Sequence, residues 1–204
     1  MRSAYRKSPS ESPFRGAFKI LYFFLPLWYT VFMKYDYATL YNKNADFYNA
    51  RPQAKKALRL VNGLLTYAFF LAYAGLWAYG IFLGDFLPND FLKIFFVPVS
   101  ALFLVSLLRL GIARPRPYAA KGAGITPLVL RSGREDDSCP SRHLTCAAVI
   151  AMTFLPYLPV VGYVLLVSTF LLAYTRFALG MHYPSDLLAG IGVGGAVGAL
   201  VFWL

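Results

Sequence analysis

Apolar residues recur along this chain in six runs, separated by polar breaks that glycine and proline mark. The runs cover residues 18–33, 63–83, 91–110, 143–158, 159–174 and 185–204. A helix that crosses the hydrocarbon core of a bilayer needs about 20 predominantly apolar residues, and each run lies near that length. The pattern predicts an all-α polytopic membrane protein, a six-helix bundle forming a single domain over residues 1–204. Residues 18–33 lack a small-residue cleavage site and read as an anchor helix. Runs four and five meet at Leu155-Pro156-Tyr157-Leu158-Pro159, which predicts a tight helical hairpin. The sixth run carries Gly190, Gly192, Gly194, Gly195 and Gly198. In lipid, small residues let helices approach closely, so this run reads as a packing face rather than a phosphate loop.

Three polar stretches remain: an N-terminal tail at 1–17, a segment at 34–62 and a loop at 111–142. The segment at 34–62 is rich in tyrosine and suits an interfacial position. The loop at 111–142 is long enough to mark it as functional, and it is the expected active-site loop. Alternation of the six runs across the membrane has a direct consequence. The end of run three, the start of run four and the connection between runs five and six all fall on one aqueous side.

Hydrophobic residues make up 58% of the 204 positions and the mean hydropathy is +0.54, which excludes an ordinary soluble globule. The net charge is +11. In a membrane protein such an excess favours contact with anionic lipid head groups, and no nucleic-acid partner is expected. Cys139 and Cys146 are the two cysteines. They lie seven residues apart with the second expected inside a helix, so free thiols are predicted, and no CxxC pattern suggests structural zinc.

The chemistry concentrates on that one aqueous side. Arg109, Arg116 and Arg176 carry planar guanidiniums suited to phosphate oxygens. Taken singly, each reads as an ordinary head-group contact; both histidines at these spacings change that. Ser141 precedes an apolar helix and fits an N-cap, which would aim free backbone N–H groups at an anion beside His143. His182 and Asp186 are four residues apart. The carboxylate is positioned to accept a hydrogen bond from one imidazole nitrogen and leave the other as a nucleophile. A metal held by His182 and Asp186 is the alternative, disfavoured by the cationic setting.

The stretches Arg109-x6-Arg116-Pro117, Pro140-Ser141-Arg142-His143 and Thr175-Arg176-x5-His182-x3-Asp186 together resemble the type-2 phosphatidic-acid phosphatase family. That family reads Lys-x6-Arg-Pro, Pro-Ser-Gly-His and Ser-Arg-x5-His-x3-Asp. The resemblance covers about residues 60–204, and its specificity lies in the joint match of all three motifs. Arg109 stands where the family has lysine, Arg142 where it has glycine and Thr175 where it has serine. The resemblance implies that His182 attacks phosphorus, Asp186 supports it, and His143 protonates the leaving oxygen and later activates water. It implies that Arg109, Arg116, Arg176, Ser141 and the Arg142 backbone N–H hold the phosphoryl oxygens, with no metal or other cofactor.

The expected function is therefore a membrane lipid phosphatase that acts through a phosphohistidine. Phosphatidic acid, phosphatidylglycerol phosphate and a polyprenyl diphosphate are the candidate substrates. Arg142 adds a cation that favours a diphosphate head group. A lipid phosphotransferase would use the same residues. A transporter would place its ionisable groups nearer the bilayer midplane. Loop charges nearly tie on orientation; the resemblance places the site on the extracytoplasmic side, and a compact six-run chain with few loop elaborations suggests a bacterial cell membrane. The sequence does not specify an oligomeric state.

Overall fold

The computed structural model describes residues 37–120, 124–129 and 137–204. The helices are α1 (Tyr37–Asn49), α2 (Pro52–Phe82), α3 (Pro88–Ile112), α4 (Arg142–Phe154), α5 (Pro159–Ala178) and α6 (Pro184–Gly198), the last continued by a 3₁₀ turn over Ala199–Phe202. No strand occurs among the described residues. Among the described residues, four spans are long and apolar enough to cross a membrane: α2, α3, α5, and α6 with its 3₁₀ extension. The run at 143–158 becomes the 13-residue α4, shorter than a full span. The run at 18–33 lies outside the described residues.

Prolines set most of the helix starts. Pro52, Pro88, Pro159 and Pro184 each open a helix. There the missing N–H costs nothing and the fixed φ is already helical. Helix α2 begins at Pro52 rather than near residue 63, so the second half of the expected interfacial segment is its first three turns. Lys55, Lys56 and Arg59 hide that extension from a hydropathy reading. The helix persists because Leu58 is buried in a small cluster with Tyr41, Leu128 and Leu179.

Helix α4 is the hub. Leu144, Ala147, Ala148, Val149, Ile150, Ala151 and Phe154 are all buried, as expected of a helix apolar on every face. The longer helices around it turn apolar side chains outward. Tyr67, Phe70 and Leu71 on α2, Phe103 on α3, and Val164 and Phe170 on α5 are exposed and form the surface that meets lipid.

The glycine run of α6 packs closely against α4, and only on one face. A Cβ at Gly190 would come within 2.6 Å of the Ser141 carbonyl oxygen, and one at Gly198 within 2.5 Å of Met152 Cβ. At Gly194 it would collide with the Thr145 carbonyl oxygen. Gly192 and Gly195 have nothing within 4 Å. Overpacking of this kind costs about 1–3 kcal/mol. Gly194→Ala should therefore lower the thermal unfolding midpoint in detergent by several degrees, and Gly192→Ala should leave it nearly unchanged. Equal effects at the two positions would refute the packing role.

Candidate functional site

The connection between α5 and α6 is built to present His182. Helix α5 ends in a Schellman arrangement: the Gly180 N–H donates to the Phe177 carbonyl and the Met181 N–H to the Arg176 carbonyl. Gly180 sits at φ +75°, and a Cβ there would also strike the Tyr41 ring. The turn throws His182 inward, where it is 2% exposed. Asp186 then lies in the first turn of α6, its carboxylate accepting the Tyr183 N–H at 3.1 Å.

Helix α1 packs over this connection. Tyr37 donates its hydroxyl to the His182 carbonyl at 3.4 Å and its ring meets Tyr183 at 4.9 Å. Tyr41 donates to the Thr126 carbonyl and accepts the Leu128 N–H, and Asn44 donates to the Ala178 carbonyl. The first half of the segment expected at the interface is thus a helix laid against the histidine turn. Lys34, Tyr35 and Asp36 lie outside the described residues.

The three stretches meet. Arg109 is in the last turn of α3 and pairs with Asp137 at 2.5 Å. The chain then leaves α3 through Ala113, which adopts a left-handed backbone at φ 44°. That turn sends Arg114 and Arg116 back toward the bundle. Arg116 is fully buried; its Nε and one terminal nitrogen donate to Asp137 Oδ1 at 2.9 and 2.8 Å. Its other terminal nitrogen donates to the Met181 carbonyl at 2.9 Å. Arg176, in the last turn of α5, donates to Thr66 Oγ1 at 2.9 Å and approaches Met181 Sδ at 3.6 Å. The Ser141 N–H donates to the Asp186 carbonyl at 2.9 Å, which ties the start of α4 to the start of α6.

Two local expectations come out differently. Ser141 stands at the N-cap of α4, but its hydroxyl makes no capping bond and has no hydrogen-bond partner although buried. It is left available to an oxygen in the site. The imidazole Nδ1 of His182 lies 2.9 Å from the Ser138 carbonyl and 4.0 Å from Asp186 Oδ2. The carbonyl can only accept, so Nδ1 carries the proton and Nε2 keeps its lone pair. Asp186 acts one step back, accepting from Ser138 Oγ at 2.5 Å and from Arg114 at 2.6 Å.

Arg114, Asp137 and Ser138 are the residues that the motif spacing did not mark. Arg114 also donates to Ser185 Oγ at 2.8 Å and stacks over the Tyr183 ring at 4.0 Å. The available signal was the Arg114-Pro115-Arg116-Pro117 doublet and the acid directly preceding Ser138.

Arg142 and His143 open the first turn of α4 and line a cavity of about 180 Å³ with Thr66, Phe69, Leu102 and Cys146. Thr66 joins this cavity to Arg176. A second cavity, of about 410 Å³, is lined by Arg59, Asn62, Val129, Leu179 and Met181. Cys139 and Cys146 are both free thiols, and burial pushes the Cys139 thiol up to about 12.

Burial lowers the His182 pKa well below the usual 6.5, and the guanidiniums of Arg116, Arg176 and Arg109 lower it further. The hydrogen bond to Ser138 opposes them and loses. The ring is therefore neutral at pH 7. An imidazole with a depressed native pKa binds fewer protons than the unfolded chain, so its share of stability declines as pH falls below about 6.5. The chain has two histidines, so histidine-selective ¹⁵N NMR in detergent, assigned with His143→Ala, isolates the His182 signal. That signal should stay neutral through pH 6.5; a midpoint at 6.5 or above would contradict the electrostatic account.

Comparison with known proteins places these residues among similar chains. The sequence pattern of the PAP2 superfamily matches residues 90–204. The lipid A 1-phosphatase of Rhizobium johnstonii is 31% identical over 102 residues, which is 50% of this chain and 42% of that protein. Undecaprenyl-diphosphatase BcrC of Bacillus subtilis is 31% identical over 104 residues, 51% of this chain and 52% of that protein. The chain thus spans about half the length of these curated relatives. A solved structure, the transmembrane PAP2-type phosphatidylglycerolphosphate phosphatase from Bacillus subtilis, superposes with a TM-score of 0.58 at 24% identity. The match covers 81% of this chain and 85% of that one, and shows a shared membrane fold.

Proposed function

The chain belongs to the PAP2 superfamily, and from that premise we propose that it is a membrane lipid phosphatase working through a phosphohistidine on His182. The observation that carries the reading is the state of that imidazole. It is neutral, its Nδ1 proton is committed to a carbonyl, and the charges of three arginines bear on it. A neutral ring with one free nitrogen beside guanidiniums suits attack on a phosphoryl group.

The Nε2 lone pair of His182 attacks phosphorus while the bond from phosphorus to the lipid-side oxygen breaks. That oxygen leaves with a proton from protonated His143. Water then attacks the phosphohistidine, giving its proton to His143 and its hydroxyl to phosphorus, while the bond from phosphorus to Nε2 breaks, returns its electron pair to the imidazole and releases phosphate. Arg109, Arg116, Arg176, Ser141 and the Arg142 N–H hold the equatorial oxygens. Among the described residues the site holds more positive charge than negative: Arg109, Arg114, Arg116 and Arg176 face Asp137 and Asp186. Such a balance favours a phosphate dianion.

The substrate is a lipid with a terminal phosphate. The named activities of the relatives suggest phosphatidylglycerol phosphate, a polyprenyl diphosphate or a phosphorylated lipid A, and phosphatidic acid belongs to the same chemical class. Arg142, exposed at the rim of the apolar cavity, favours the diphosphate. The site faces the extracytoplasmic side of a bacterial membrane in this reading. The test is phosphate release in detergent across a panel of these four lipids. Release from at least one is expected, and silence across the panel would remove the phosphatase reading.

A further inference from the structure

The edge of Arg116 best suited to a phosphate is already occupied in the observed geometry. Its Nε and one terminal nitrogen, the edge that grips an oxyanion side-on, both donate to Asp137 Oδ1. Its other terminal nitrogen is spent on the Met181 carbonyl. Arg109 pairs with Oδ2 of the same carboxylate. A single side chain thus spans two guanidiniums of the phosphate cluster, and it presents them with two oxygens and a negative charge, much as a phosphoryl group does.

We propose that Asp137 is an affinity-setting residue, an internal anion that competes with the phosphoryl group for Arg109 and Arg116. The inference rests on the phosphatase reading above. It follows from valence and space. A guanidinium edge that already donates both its protons to a carboxylate oxygen cannot donate them to a phosphate oxygen as well. Phosphate binding through that edge of Arg116 therefore displaces Asp137, and the departing product is replaced by it. The carboxylate lowers the affinity of the site for free phosphate and speeds release of product from a cluster whose positive charge would otherwise hold it. The neighbour, Ser138, makes the exchange consequential. Its carbonyl holds His182 and its hydroxyl holds Asp186, so a shift of Asp137 is felt one residue away at the nucleophile.

The probe is orthovanadate, measured by calorimetric titration of the purified protein in detergent, with inorganic phosphate as product inhibitor in the lipid assay. Asp137→Asn removes the charge and keeps the shape. It should bind orthovanadate at least about tenfold more tightly, since the loss of one like charge at contact distance is worth that much even in a screened site. Its inhibition constant for phosphate should fall by a similar factor. Asp137→Glu keeps the charge and should bind within about twofold of the parent. If Asp137 is merely a brace for Arg109 and Arg116, Asp137→Asn will bind vanadate as weakly as the parent or more weakly and lose kcat, and the proposal is overturned. Should Asp137→Asn not fold, Asp137→Ser carries the same readout. If the parent itself binds no vanadate and releases no phosphate from any lipid, the phosphatase reading has failed. A parent that does both, with a variant that binds no tighter, sinks only the role of Asp137.

Discussion

His182→Ala is expected to lower phosphate release from the best lipid of the panel by at least about a thousandfold, without unfolding the bundle. The magnitude follows from removing the attacking atom itself, where losses of a nucleophile reach about a millionfold in kcat. The bundle should survive, since the imidazole is held by one hydrogen bond to a backbone carbonyl and its removal leaves no buried charge. The measurement is turnover per protein in detergent, paired with a thermal melt to show that the variant is folded. Parent protein quenched with alkaline detergent during turnover of ³²P-labelled substrate should retain alkali-stable, acid-labile label, and His182→Ala should retain none. A variant that keeps within tenfold of the parent rate would rule out the covalent mechanism.

Arg114→Met is expected to cost about 3–5 kcal/mol of stability, toward the lower end of that range, along with much of the activity. Asp186 is fully buried and Arg114 is its charged partner at 2.6 Å. Methionine leaves the carboxylate with Ser138 Oγ and the Tyr183 N–H as donors, but without a counter-charge. The carboxylate left without its counter-charge is bonded to Ser138, whose carbonyl orients His182, so kcat should fall more than KM rises. Arg114→Met combined with Asp186→Asn should recover part of the stability, because the buried charge then disappears with its partner. Arg51, an exposed arginine over the Phe47 ring, is the control, and Arg51→Met should change stability by less than about 0.5 kcal/mol. A loss at Arg114 no larger than at Arg51 would mean that the pair does not hold the site.

Much of this was legible in the sequence. Pro159 opens both an apolar run in the sequence and a helix in the structure, and the glycine run packs closely at Gly190, Gly194 and Gly198, as a packing face should. Helix α4 stops at Phe154 instead of continuing to residue 158, where Leu155 is followed by a proline that disfavours further helix. Spacing also singled out His182, Asp186 and the arginines of the three stretches. It could not find Arg114 or Asp137. The partner of Arg114 is 72 positions away, and Asp137 reaches Arg116 across 21 positions of loop. Four-residue proximity likewise suggested that Asp186 holds His182 directly, whereas Ser138, 44 positions away, provides the carbonyl.

The sequence by itself determined that the chain is a membrane bundle and that three chemical stretches share one aqueous side. Hydropathy and helical alternation are properties of neighbouring residues, and they survive without a fold. The tertiary structure decided which imidazole nitrogen stays free, and that the charge of Arg114 goes to Asp186 rather than to a substrate. It also decided that a carboxylate already sits between two of the phosphate-binding arginines. Those are contacts between residues far apart in the chain, set by the packing of α4 against α6 and by the turn that closes α5, and only the folded chain brings them within hydrogen-bond reach.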